Sequence, residues 1–233
     1  MEEFMTASFW LAVGQIIMID ILLGGDNAVV IALACRNLPA KQRTQGIIYG
    51  TIGAIVLRVI LIAFALALLA VPYLKIVGAI LLLWIGVKLL QPEDDEGHNI
   101  SSSDKLWAAV KTVIIADLVM SVDNVLAIAG AAQGAGQSHQ LPLVIFGLLV
   151  SIPIIVWGSQ LVLKLMERFP IVITLGAMLL GWIAGQMAYT DPAIKAYLPV
   201  GTHWSYVVAV AGALFVLIVG KVMQSRTKPA LAE

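Results

Sequence analysis

Charge is what this sequence has least of: Asp, Glu, Lys and Arg make up 12% of its 233 residues, while 61% are hydrophobic and the mean hydropathy is +0.98. An ordinary soluble domain is about 45–50% apolar, so water is not the main solvent of this chain. Cysteine is almost absent. The single thiol, Cys35, excludes an intrachain disulfide and a thiolate metal cluster, and reads as a structural residue. A net imbalance of charge is missing too, since Lys+Arg and Asp+Glu number 14 each. The overall balance therefore gives no electrostatic pointer to nucleic acid. Long polar linkers are likewise lacking. The longest connector, Gln91–Asp104, carries Glu93-Asp94-Asp95-Glu96 and Ser101-Ser102-Ser103, a composition unable to bury a core, so a soluble second domain is not expected.

What the chain does have is apolar runs. A bilayer core of about 30 Å needs about 20 apolar residues per helix, and seven segments meet that measure: Ala7–Cys35, Gly46–Ala70, Tyr73–Leu90, Leu106–Ala132, Leu143–Leu165, Ile171–Tyr189 and Tyr206–Met223. The start, Met1-Glu2-Glu3-Phe4, lacks the basic region and cleavage site of a signal peptide, so the first span is expected to be retained. Under the positive-inside rule, a cytoplasmic first loop puts Arg36, Lys41, Arg43, Lys88, Lys105, Lys111, Lys164, Arg168, Lys221, Arg226 and Lys228 inside, leaving Lys75 and Lys195 outside. The expected fold is an all-α polytopic bundle with the N-terminus out and the C-terminus in.

The chain also resembles itself. An offset of 97 residues places Asp20, Asp26 and Asn27 over Asp117, Asp123 and Asn124, and Gly50 over Gly147. One residue further, Pro72 meets Pro170, Gly78 meets Gly176 and Trp84-Ile85 meets Trp182-Ile183. A duplicated three-helix unit crosses the membrane an odd number of times, so its second copy runs in the opposite sense, the inverted-repeat plan of many secondary transporters. On this reading the chain is one membrane domain. Residues 1–92 and 104–190 are the repeats, 91–104 is an acidic cytoplasmic loop, and the seventh span, 206–223, lies outside the symmetry.

The scarce charges concentrate where they cost most. Asp20 and Asp26 fall in the first span, Asp117 and Asp123 in the fourth, and Arg58 in the second. A carboxylate at a helix centre costs about 2.5–3.5 kcal/mol on insertion scales, so such residues call for a partner. Residues six apart on an ideal helix point about 120° away from each other. Asp20 and Asp26 can therefore share a ligand only if the helix is interrupted, and Gly24-Gly25 is the expected break, with Ser121 bonding backbone groups freed in the fourth span. Aspartate oxygens with the Asn27 and Asn124 amide oxygens form an all-oxygen donor set suited to Mn²⁺, Ca²⁺ or Mg²⁺. Met18 and Met120 flank the motifs and offer a thioether or plain packing. Arg58 reads as a counter-ion that holds part of the site when the metal is absent; the alternative for all these groups is a set of helix-gluing hydrogen bonds. His98, His139 and His203 lack metal-ligand spacing. Asp191 reads either as an aid to ion release or as an ordinary turn before Pro192.

These motifs, Gly24-Gly25-Asp26-Asn27-Ala28, Ser121-Val122-Asp123-Asn124 and the run from Ala116-Asp117 to Ala131, resemble the TerC family, and within it the short YjbE-like branch, related to the LysE-type transporter superfamily. The resemblance implies a bacterial integral membrane protein whose relatives export manganese, some being named for tellurite resistance. It implies a transported metal ion, no organic cofactor and no enzyme activity. Other members imply two further expectations: supply of metal to secreted enzymes, and assistance to membrane-protein insertion. A non-transporting partner of the secretion machinery is thus the second reading, and a homo-oligomer is compatible with either. A third reading, an intramembrane aspartyl protease, rests on Gly24-Gly25-Asp26 alone and fits four acids in duplicated Asp-Asn contexts poorly.

Overall fold

The computed structural model describes residues 7–64, 71–91, 102–133, 140–195, 197 and 202–227, with side chains left undescribed at several helical positions that include 19–24 and 123–133. All regular structure among the described residues is helical. The helices are α1 (Ala7–Cys35), α2 (Ala40–Ala63), α3 (Leu74–Leu90), α4 (Ser102–Gln133), α5 (Gln140–Arg168), α6 (Ile171–Tyr189), the short α7 (Pro192–Lys195) and α8 (Thr202–Thr227). A long helix thus stands at each of the seven apolar segments. Among the described residues four helices are long and apolar enough to cross a membrane: Ala40–Ile62, Ile145–Arg168, Ile171–Tyr189 and His203–Arg226. At 17 residues α3 spans about 25 Å by the 1.5 Å rise per residue, short of the bilayer core.

One expectation is corrected. Helix α1 runs unbroken through Gly24-Gly25, and α4 runs unbroken through Ser121 and Asp123. Glycine weakens a helix in water by about 1 kcal/mol relative to alanine. In apolar surroundings, however, an opened backbone group has no water to bond, so the ladder holds. Pro153 is likewise accommodated inside α5.

The two acid-bearing helices lie side by side at the centre. One apolar cluster joins α1, α2, α4 and α5 through Ile31, Leu33, Ile47, Val113, Ile155 and Met166. A second joins α1, α3, α4 and α6 through Val30, Leu82, Ile85, Val119, Leu180 and Met187. Helix pairing follows a pattern: α1 packs on α5 as α4 packs on α2, while α1 meets α4 and α3 meets α6. Helix α8 lies against α6 and α3. A Cβ on Gly181 would collide with the carbonyl oxygen of Gly212, and one on Gly185 with that of Val208, so here the backbones touch, as close packing between membrane helices favours. Wide outer faces remain apolar and exposed, with Trp84, Trp157, Leu175 and Ile218 all more than half exposed. Such faces suit lipid rather than water.

Helix α3 is held at both ends by charge from other parts of the chain. At its start the fully buried Asp191 accepts hydrogen bonds from the backbone N–H groups of Tyr73 (3.2 Å), Lys75 (3.1 Å) and Ile76 (3.2 Å), and also from Ala193 (2.8 Å). One carboxylate therefore caps α3 in trans and α7 in cis. It also meets the positive end of the α3 dipole, where an anion is favoured. Tyr73 takes a left-handed conformation (φ 64°) at the turn. At the other end of α3, Arg36 donates to the carbonyls of Leu89 (2.5 Å) and Gln91 (3.2 Å). Of the two readings of Asp191, the structure selects the turn and adds an inter-helix cap to it.

Burial by itself would raise the Asp191 pKa, but the four backbone donors outweigh it and hold the carboxyl below its ordinary 3.8. A depressed folded-state pKa contributes stability that is fully present above the unfolded value and is lost as pH falls through the folded one. Asp191→Ala is expected to cost about 1–3 kcal/mol by leaving buried donors unpaired. In thermal melts of detergent-solubilised protein, the wild-type advantage over Asp191→Asn should be constant near neutral pH and shrink below pH 3.8.

Candidate cation site

The site is built where α1 faces α4, with α2 closing one side. From α2, Arg58 is buried, 3% exposed, although it stands in an apolar helix. Its Nη2 donates to Asp117 Oδ1 at 2.5 Å, and its Nε donates to Ser121 Oγ at 3.1 Å. Ser121, one turn beyond Asp117 on α4, donates its hydroxyl to Asp117 Oδ2 at 3.1 Å. The three side chains form a closed ring of charge-assisted hydrogen bonds in which both oxygens of Asp117 are used. Ser121 thus serves the carboxylate; the expected role at a backbone break disappears with the break. Arg58 is the expected counter-ion, and among the described residues Asp117 is an acid it pairs with.

Across from this ring the chemistry is different. Asp26 on α1 is partly exposed, and its Oδ1 accepts the backbone N–H of Asn27 at 3.1 Å. Among the described residues it makes no ion pair, yet it lies within electrostatic reach of both Arg58 and Asp117. The side chain of Asn27 is 3% exposed, and both its Oδ1 and its Nδ2 are buried without a hydrogen-bond partner among the described residues. An unsatisfied buried polar group costs about 1–3 kcal/mol, and this amide carries two. Such a group in a native fold signals a missing partner. A hard cation on Oδ1, with one of its hydration waters on Nδ2, would satisfy both.

The other expected ligands divide into three groups. The side chains of Asp20, Asp123 and Asn124 lie outside those described, so the full four-aspartate constellation is not drawn; among the described residues no three carboxylate, imidazole or thiol groups converge. From α1, Asp26 and Asn27 are the expected ligands whose side chains are described. Of the glycines, Gly24 is helical and Gly25 is exposed with open space where a Cβ would stand, so Gly25 leaves room beside Asp26. Met18 is 55% exposed and on the outer surface, whereas Met120 is buried in the apolar cluster with Val30 and Leu82. Met120 therefore packs, while Met18 faces outward. His98, His139 and residues 93–96 lie outside the described residues.

One residue escaped the sequence reading. Thr51 stands seven positions before Arg58, hence on the same face of α2, and its buried Oγ1 has no partner. The only signal for it is that spacing. Ile155, 97 positions after Arg58, is buried and apolar on α5.

The TerC integral membrane protein family matches residues 5–228. YjbE, an uncharacterized membrane protein of Bacillus subtilis (strain 168), is 45% identical over 183 residues, 78% of this chain and 81% of its own length. YceF of the same organism, also named an uncharacterized membrane protein, is 28% identical over 77% of this chain and 71% of its length. The inner membrane protein YgdQ of Escherichia coli (strain K12) is 24% identical over 69% of this chain and 73% of its length. No solved structure matches.

The ring makes a specific energetic prediction. Breaking a buried pair by removing one partner costs about 3–5 kcal/mol, whereas replacing both by apolar residues is often neutral. Arg58→Met should lower the thermal midpoint in detergent by well over the scatter of replicate melts. Adding Asp117→Leu should restore most of the loss, and additive destabilisation in that cycle would contradict the pairing.

Proposed function

The chain belongs to the TerC family of integral membrane proteins, and from that premise we propose that it is a divalent-cation exporter of the bacterial plasma membrane, with Mn²⁺ as its cargo. The observation that carries this reading is the buried, unpartnered Asn27 amide beside Asp26, facing an acid that already has its own cation. Hard oxygen donors without sulfur suit Mn²⁺, Mg²⁺ or Ca²⁺; manganese is the choice the family resemblance favours. In this reading Asp26 and Asn27 take the ion from the α1 side. Asp117 is held by Arg58 and Ser121 while the site is empty, and it turns toward the ion when Arg58 yields to the larger charge. Asp20, Asp123 and Asn124 complete the oxygen shell.

Seven spans, an N-terminus outside and a C-terminus inside are part of the same proposal. The exchange of partners, α1 on α5 and α4 on α2, supports a duplicated unit, because swapping the two halves maps each contact onto the other. Inverted halves rocking about a central site would open it alternately to either side. A carboxylate must be deprotonated to bind metal, so proton and cation compete for the same oxygens, and proton antiport follows without a separate proton path. The protein is then a transporter, with chemistry limited to ligand exchange.

Purified protein in liposomes loaded with Mn²⁺ is the test, since it contains no secretion partner. Wild type should release the ion in response to an opposing proton gradient. Asp26→Asn and Asn27→Ala should each slow release at least tenfold, equivalent to about 1.4 kcal/mol of lost stabilisation. Release by either variant at the wild-type rate would remove these residues from the site. No release by well-folded wild type would favour the assembly-partner reading.

A further inference from the structure

Asn27 and Thr51 are both buried, and both carry polar atoms without a partner among the described residues; the proposed ion site uses only the first. A serine or threonine hydroxyl inside a helix can donate to the carbonyl one turn back, as Ser159 does to Ile155 (2.8 Å) and Thr112 to Ala108 (2.9 Å). Thr51 makes no such bond among the described residues, although it is only 1% exposed. A hydroxyl that forgoes the nearest acceptor in apolar surroundings points to a partner from outside the protein.

The register of the helices places Thr51 between the central site and one end of the bundle. It lies on the buried stripe Ile47, Thr51, Ala54 and Arg58 of α2, about 10 Å along the helix from Arg58. At that end Arg43, near the start of α2, pairs with Glu167, near the end of α5, so the two packed helices run in opposite directions. A rise of about 12 Å from this pair brings α2 to Thr51 and α5 to the buried Ser159. The neighbouring Gly158 faces α1: a Cβ there would stand 3.7 Å from that of Ala28, the residue after Asn27. Thr51, Ser159 and the Asn27 amide therefore occupy adjoining levels of the seam where α1, α2 and α5 pack together.

We propose, building on the exporter reading, that this seam is the route of the ion between the cytoplasm and Asn27. The hydroxyl oxygens of Thr51 and Ser159 replace part of its water on the way, and the Arg43–Glu167 pair closes the mouth in this conformation. Neutral hydroxyls hold a hard cation more weakly than carboxylates do, as passage requires. The Ser159 oxygen keeps acceptor capacity while its hydrogen serves Ile155. Arg43 has a second anchor, since its Nε donates to the carbonyl of Leu38 at 2.7 Å, whereas Glu167 is 58% exposed. The mouth therefore opens by withdrawal of Glu167. An exposed ion pair contributes little to stability, so it can break and re-form within a transport cycle.

The experiment is labelling of the full chain in nanodiscs by a membrane-impermeant trimethylammonium methanethiosulfonate, with Thr51→Cys placed in a Cys35→Ala background. The new thiol should react, saturating Mn²⁺ should slow the reaction at least fivefold, and Glu167→Gln should speed it at least threefold. Ile52→Cys, at an outward position 47% exposed in the apolar surface of the same helix, should stay unlabelled. If Thr51→Cys is not recovered folded, Ser159→Cys takes its place with the same expectations. No reaction at the introduced thiol, or a rate indifferent to Mn²⁺ or to Glu167→Gln, would overturn the route. Labelling is read without transport: no reaction in a protein that releases Mn²⁺ refutes the route alone, and Mn²⁺-protected labelling without release refutes the exporter reading alone.

Discussion

A carboxylate buried among apolar helices must find positive charge or donors, and the acids of α1 and α4 answer that requirement differently. Asp117 is neutralised from within by Arg58 and Ser121, which use both of its oxygens. Asp26 and Asn27 have no such internal partner among the described residues, and the Asn27 amide is left wholly unsatisfied. The sequence offers Arg58 on α2 and, 97 positions later, only the apolar Ile155 on α5. A site paired on both sides would be inert, and one unpaired on both sides would be hard to hold in lipid without its ion. In the proposed cycle, one permanent cation leaves room for one mobile one.

The scaffold keeps that room open by fixing its surroundings. Helices α1 and α4 sit in the middle of two apolar clusters, so moving either disturbs both. Helix α3 is clipped by Asp191 at one end and Arg36 at the other, with the sign of each charge matched to the helix dipole. Both clips join parts of the chain far apart in sequence, and both sit at helix ends, where they can hold or release a helix without opening the core. Contact between α6 and α8 at Gly181, Gly185 and Gly212 adds a tightly joined outer layer that follows α3 through their shared cluster.

Much of this was legible in the sequence, and the misses have physical causes. Apolar runs located every long helix, Ile171–Tyr189 agrees at both ends and the first helix agrees at Cys35. The expected start of the second helix, Gly46, is six residues late because hydropathy marks where lipid begins; Pro39 and the good helix formers Lys41, Gln42 and Arg43 start the helix earlier, outside the apolar zone. The same effect extends α4 back to Ser102 and α8 to Thr202. The pairing of Arg58 with an acid could be foreseen from charge alone; which acid could not, because that depends on how α2 and α4 are rotated against each other. Turning two acids to one ion calls for a break at Gly24-Gly25, whereas α1 keeps its backbone ladder there, because an opened backbone group in apolar surroundings has no water to bond. Asp191 was invisible as an inter-helix cap, since its partners lie more than a hundred residues away. Thr51 and the fates of Met18 and Met120 were settled by helix rotation, which hydropathy does not encode.

The central claim is that Asp26 and Asn27 are the unfilled half of a cation site. Anomalous diffraction at the manganese edge, from crystals of the full chain soaked in Mn²⁺, tests it most directly. The account predicts one peak between α1 and α4, with Asp26 carboxylate and Asn27 Oδ1 oxygens roughly 2.0–2.6 Å from the ion, the span of hard-cation contacts. A metal bound elsewhere, with the Asn27 amide still unpartnered beside an empty space, would contradict it.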